Sequence, residues 1–282
     1  MSGKPGSSVR QRRVSAELRT LRLSRNLTCE QVGDALGWST AKISRMETGI
    51  RGLYPEDVAL VLGYLQAPAP LRDELLALVR DSHKPNWIQV GGKLPTAWKQ
   101  LIDFEDSATA LFNYEPLVIP GLLQTADYAR AVIRAGNSEL PESEVDRLVR
   151  TRMGRIAILS RHTGPTLAAI IDETVLRRPL ADPSIMQAQL QHLLTMATRP
   201  RIDLRVIPFE IGATTGIEGP ILILDFPDQP SLVHLETRGV TGFLEEAAVV
   251  RRVKIAWREL HSTALSPKDS TRLIADIVGD MT

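Results

Sequence analysis

Between Leu27 and Gly49 the chain reads LTCEQVGDALGWSTAKISRMETG, and the placing of its two glycines constrains the local fold more than any other feature. Two short helices that cross at a steep angle need a small residue where their axes approach, and a residue tolerant of a left-handed backbone in the turn. Gly33 and Gly37 stand at those two places. Thr28 is placed to cap the first helix and Ser39 the second. Val32 and Leu36 point inward one turn apart, and Ile43 and Met46 give the second helix its buried side. Thr40, Ala41, Lys42, Ser44 and Arg45 are short, polar or basic and need no burial, so their face is free to enter a groove. The spacing predicts a helix-turn-helix.

The flanking sequence supplies what such a motif needs to bury itself. Val14, Leu18 and Leu21 predict a helix before it; Val58, Val61, Leu62 and Leu65 predict one after it, with Pro55 in its first turn, and Leu71, Leu75 and Leu78 predict a further one. Residues 10–80 are therefore expected to form a mainly α, five-helix bundle. This arrangement, with the phrase SRMETG closing the second motif helix, resembles the lambda-repressor-like, Xre-type DNA-binding domain. The resemblance implies double-stranded DNA read by a transcriptional regulator, with Thr40, Ala41 and Arg45 at base-reading positions and Lys42, Ser44 and Arg51 nearer phosphate. Thr28 and Arg13 complete the expected DNA-contact set. An arginine fork on the O6 and N7 of guanine discriminates by about 1–3 kcal/mol, and Ala41 suits a thymine methyl. Many relatives carry Gln just inside the first motif helix, where this chain has Cys29.

With 282 residues and 43% hydrophobic composition, the chain has room for two ordinary domains. One cysteine forms no internal disulfide, no apolar run follows the early arginines, and no stretch has the length of a membrane span, so a cytoplasmic protein is expected. The overall charge of +1 conceals an asymmetry. Through residue 25 there are seven basic residues (Lys4, Arg10, Arg12, Arg13, Arg19, Arg22, Arg25) against Glu17 alone. Beside the motif this reads as an electrostatic footprint for phosphate, or as a solvated basic face.

Helical periodicity lapses over residues 81–94, DSHKPNWIQVGGKL, which is expected to be a linker packed through Trp87 and Trp98 onto one domain or the other. Residues 95–282 read as α+β. Strands are expected at Ala108–Tyr114, Leu167–Ile171, Ile202–Val206, Ile221–Leu224 and Leu232–Leu235, and helices around Met186–Ala197, Val249–Leu260 and beyond Pro267. Short Pro and Gly turns between residues 216 and 230 suggest hairpins and a small, mainly antiparallel sheet.

The phrases YEPLVIPGLLQTADYARAVI, IDETVLRRPL and LRVIPFEIGATTGIEGPILILDFPD resemble the C-terminal domain of actinobacterial WhiJ-like regulators. That resemblance implies a DNA-binding regulator whose C-terminal domain binds a ligand or a small acidic protein encoded by a neighbouring gene. It also leaves open an antitoxin or adaptor that mainly sequesters such a partner and regulates its own gene.

Residue chemistry in this half points to binding rather than catalysis. The five histidines (His83, His162, His192, His234, His261) are scattered, with no Cys cluster, so no metal site is expected. Nucleophile-elbow, Walker and dinucleotide motifs are missing, and no cofactor is expected. Arg177, Arg178, His234 and Glu236 either line a polar recess for a ligand or partner tail, or form surface ion pairs. Arg147, Arg150, Arg152, Arg155 and Arg161 decorate one helix and read as a solvated face or as a surface for an acidic partner. An enzyme with an accessory DNA-binding domain is the more distant alternative. Because one motif falls short of the roughly 4–10 kcal/mol that separates specific from nonspecific DNA binding, a homodimer on a palindrome is expected, joined through the C-terminal domain.

Overall fold

The structure, a computed structural model, describes residues 8–49, 52–82, 86–90, 94–179, 182–238 and 240–281. Five helices come first: α1 (Val9–Ser24), α2 (Cys29–Leu36), α3 (Thr40–Thr48), α4 (Pro55–Tyr64) and α5 (Ala69–Arg80). Their boundaries have local causes. Thr28 Oγ1 accepts from the Gln31 N–H at 3.1 Å while the Gln31 side chain accepts from the Thr28 N–H at 2.8 Å, a reciprocal capping box at the start of α2. Gly37 ends α2 at φ +69°, and Ser39 Oγ caps α3 by accepting from the Lys42 N–H at 3.3 Å. Val14, Leu18, Val32, Ile43, Met46, Val58, Leu62 and Leu75 meet in one core, with Leu36 and Trp38 packed against it.

The close helix approach expected at Gly33 is present: an added Cβ there would lie 2.7 Å from the Trp38 carbonyl oxygen. Because the obstacle is backbone, Gly33→Ala is expected to cost about 1–3 kcal/mol through overpacking, read from urea unfolding. An unchanged midpoint would mean that the turn opens freely.

The remaining elements are β1 (Trp87–Val90), α6 (Leu94–Ser107), β2 (Ala110–Glu115), α7 (Ala126–Gly136), α8 (Glu142–Ile156), β3 (Thr166–Asp172), α9 (Glu173–Arg177), α10 (Pro183–Ala197), β4 (Ile202–Ile207), β5 (Ile221–Asp225), β6 (Leu232–Thr237), β7 (Val240–Leu244), α11 (Ala247–Thr263) and α12 (Pro267–Asp280). The strands follow one another in the order β1-β7-β6-β5-β2-β3-β4. By proximity the chain divides into two compact units: Met1–Asp103 with Asp228–Pro230 and Leu235–Ala247, and Phe104–Pro227 with Ser231–His234 and Ala248–Thr282.

In the first unit, β1 pairs antiparallel with β7, Trp87 opposite Phe243 and Val90 opposite Val240. The Trp87 and Phe243 rings stack with centroids 6.1 Å apart. The stretch expected to be a connector thus contains a strand, whose partner lies too far along the chain for local periodicity to reveal it. Trp87 and Trp98 are both buried, as their size and apolarity suggested.

In the second unit, β2, β3 and β4 run parallel, with Ala110 opposite Thr166 and Leu167 opposite Ile202. β5 lies antiparallel on the other side of β2, and β6 antiparallel beside β5. The α+β class stands, but the sheet is seven-stranded and mixed rather than small. The turns near residues 216–230 did report the β5–β6 hairpin. Parallel neighbours instead need long crossovers, supplied here by α7 and α8 between β2 and β3 and by α9 and α10 between β3 and β4. Leu167, Ala169, Ile170 and Ile171 are all buried, as in a strand covered on both faces.

Candidate nucleic-acid interface

Helix α3 is held from below and open above. Ile43 and Met46 are buried, while Thr40, Ala41, Ser44 and Arg45 are exposed side by side along the outer face. Among the described residues the Arg45 guanidinium makes no ion pair and no side-chain hydrogen bond, so its fork is available. Lys42 is half-buried: its Nζ lies 2.8 Å from Asp57 Oδ1 and 3.4 Å from the centre of the Trp38 ring. Its ammonium is therefore held between Asp57 and Trp38 beside the exposed face of α3. Thr28 is exposed at the start of α2, with its hydroxyl engaged in the capping box. Arg51 lies outside the described residues.

The helix is fixed in orientation by a buried ion pair absent from the sequence expectations. Arg22, on α1, donates from Nε to Glu47 Oε1 at 2.7 Å and from Nη2 to Glu47 Oε2 at 2.8 Å, and its Nη1 reaches the Leu27 carbonyl at 2.6 Å. Both side chains are nearly enclosed, at 10% and 6% exposure. A bidentate guanidinium–carboxylate pair fixes rotation as well as distance. Cys29 Sγ sits 3.8 Å from Glu47 Oε2. Burial, and then the neighbouring Glu47 charge, push the thiol pKa up, so Cys29 stays protonated as a weak donor to that carboxylate. Cys29 thus touches α3 through its sulfur.

The basic footprint is smaller than the sequence suggested. Arg12, Arg13 and Arg22 are buried, Arg10 is half-buried, Arg19 and Arg25 are exposed, and Lys4 lies outside the described residues. Arg13, expected to touch phosphate, pairs with Glu74 at 2.6 Å. The Gln100 amide, turned with its oxygen toward Arg13, accepts from the same guanidinium. This expectation is corrected: the Arg13 side chain is 8% exposed and occupied inside the protein. Charge sign is visible in a sequence, whereas the long-range carboxylate that draws it inward is not.

The second candidate set separates. Arg177 and Arg178 line an apolar recess of about 210 Å³ with Leu176, Met186 and Ile277, and Arg177 Nε is bound to Glu173 Oε1 at 2.6 Å. His234 is buried on β6 opposite Leu222, three strands from β3, roughly 14 Å across the sheet. Glu236 is exposed, and neither it nor His234 belongs to the walls of the recess. The four residues do not share one site. The basic run is likewise not a free strip: on α8, Arg155 is buried against Glu105, Arg152 donates to Gln124 at 2.9 Å and Arg147 pairs with Glu144, while Arg161, expected on the same helix, lies beyond its end and pairs with Asp106.

Among the described residues, no helix is long and apolar enough to cross a membrane. A family model described as a helix-turn-helix domain matches residues 13–75, and one described as a domain of unknown function, DUF5753, matches residues 98–276. No curated protein matches the chain. A solved structure of TrmBL2, described as an archaeal chromatin protein with a novel mode of DNA binding, is 12% identical over 85% of this chain and 88% of that one, with a TM-score of 0.32. A likeness that distant adds nothing to the geometry above.

Proposed function

We propose that this chain, which belongs to the DUF5753 family and carries a helix-turn-helix domain ahead of that domain, is a sequence-specific DNA-binding transcriptional regulator. The observation that carries the reading is the outer face of α3, where Thr40, Ala41, Ser44 and Arg45 are exposed on a helix whose opposite side is locked by Ile43, Met46 and the Arg22–Glu47 pair. Phosphate contacts come from exposed Arg19 and Arg25 and from the α2 N-terminus at Thr28. Two copies read a palindrome with half-sites about 34 Å apart, and the regulator works at the nucleoid. The C-terminal half serves binding rather than catalysis and takes a small protein or ligand, as in the WhiJ-like group.

Duplexes enriched from a random pool by the full chain test this reading. Arg45→Ala is expected to lose about 1–3 kcal/mol at each half-site of the enriched duplex, through one base pair per half-site, with little change on random DNA. Equal losses on both duplexes would remove Arg45 from base reading. Failure to enrich any sequence would remove the reading itself.

A further inference from the structure

Helix α1 is buried along two sides with different partners. Val14 and Leu18 enter the helix-turn-helix core, but Val9, Arg12 and Arg13 do not belong to it and are nonetheless buried. Val9 and Arg12 face segments far along the chain that fall in the same compact unit, while Arg13 is paired with Glu74 of α5 and also borders β1. The Val9 N–H donates to Glu245 Oε2 at 2.7 Å, and Arg12 Nη2 donates to the Pro230 carbonyl at 3.0 Å. Arg13 stands 6.0 Å from the Trp87 ring centre, and Trp87 is stacked on Phe243 of β7. The Glu245 and Glu246 N–H groups both donate to Asn86 Oδ1, at 2.9 and 3.2 Å, so the residues that grip α1 are themselves tied to the start of β1.

Such contacts are costly to maintain. Burial is the main cause lowering the Arg12 pKa to about 10, and burial also raises that of Glu245, each partly offset by the charge of the other. A helix that served only to cover a small bundle would bury apolar side chains here at less expense. Near its other end, about 20 Å along the axis from Val9, α1 grips α3 through Arg22 and Glu47.

We infer that Arg12, Arg13 and Glu245 are positioning residues for DNA recognition: they fasten the start of α1 to Pro230 before β6, to Trp87 of β1 and to the end of β7, and α1 passes that attachment to α3 through the Arg22–Glu47 pair. The inference rests on the DNA-reading role proposed above. The two ends are joined by one continuous helix, held at its start by the Val9–Glu245 and Arg12–Pro230 hydrogen bonds and near its end by the buried Arg22–Glu47 pair. A displacement of the Glu245 segment therefore shifts α3 without any linker intervening.

The test uses the full chain, the duplex it enriches from a random pool, and a scrambled duplex. Glu245→Ala is expected to weaken binding to the enriched duplex about tenfold and to the scrambled duplex less than about twofold, a coupling of ordinary size. Glu245→Gln, which keeps an oxygen for the Val9 N–H, is expected to fall between that variant and wild type. Unchanged binding to the enriched duplex, or equal losses on both duplexes, overturns the inference. If Glu245→Ala does not fold, hydrogen exchange in the wild-type chain decides. Adding the enriched duplex is then expected to slow exchange of the Val9, Glu245 and Glu246 amides, and unchanged exchange there overturns the inference. Failure of the pool to enrich overturns the DNA-reading role together with it, whereas enrichment with unaffected variants overturns the positioning role alone.

Discussion

Glu47→Ala is expected to cost about 3–5 kcal/mol of folding stability, because it leaves the Arg22 guanidinium buried without its carboxylate. The loss should be far larger than for an exposed pair, where the two charges remain solvated and contribute about 0–1 kcal/mol. The double variant Arg22→Met, Glu47→Leu separates the cost of an orphaned charge from the worth of the pair. Apolar side chains of similar size remove both charges at once and are expected to restore most of the stability. Restoration should fall short by about 1–3 kcal/mol, since the Leu27 carbonyl also loses the Arg22 Nη1 donor. Urea unfolding followed by circular dichroism provides the measurement. A single variant that loses under about 1 kcal/mol, or a double variant worse than either single one, would show that the pair does not secure α3. The double variant also separates stability from recognition. It should remain folded yet discriminate less well between enriched and random DNA, because packing alone leaves the rotation of α3 less firmly set than a bidentate pair does.

How much of this could be read from the sequence depended on the range of the governing contact. Gly33, Gly37, Thr28 and Ser39 act on neighbours within a few residues, so their types and spacing announced α2, the turn and α3. The buried sides of α1 and α4 were legible through Val14, Leu18, Val58 and Leu62 for the same reason. Strands β3, β4 and β5 were legible as short apolar or alternating runs. β1 was not, because its four residues sit among turn formers and its partner is β7. β7, VTGFL, carries a glycine that hides its strand character. The charged residues were hardest to place. Arg13, Arg22 and Arg155 read as surface cations, since nothing adjacent marks Glu74, Glu47 or Glu105 as their partners. Arg45 has the same composition signal and is exposed. Only the fold distinguishes the arginine left exposed on α3 from those drawn inside by a carboxylate.

The same distinction gives the second large effect, in the C-terminal half. Glu105, on α6, is 1% exposed and binds Arg155 of α8 through both oxygens, at 2.6 and 2.8 Å. Glu105→Ala is expected to cost about 3–5 kcal/mol in urea unfolding, as an uncompensated guanidinium is left inside. Arg155→Lys should recover little of what Arg155→Ala loses, because an ammonium at the end of a flexible chain cannot reproduce two parallel bonds to one carboxylate. Arg150, exposed on the same helix, provides the contrast: Arg150→Ala is expected to stay within about 0.5 kcal/mol of wild type. If the five arginines instead formed one surface for an acidic partner, Arg155→Ala and Arg150→Ala would behave alike, both folding normally and both weakening that partner's binding. A large stability loss confined to Arg155 would show that this run is divided by burial. Any acidic partner would then have to recognise the α8 surface through Arg150 and its exposed neighbours, with Arg155 serving to hold α8 against α6.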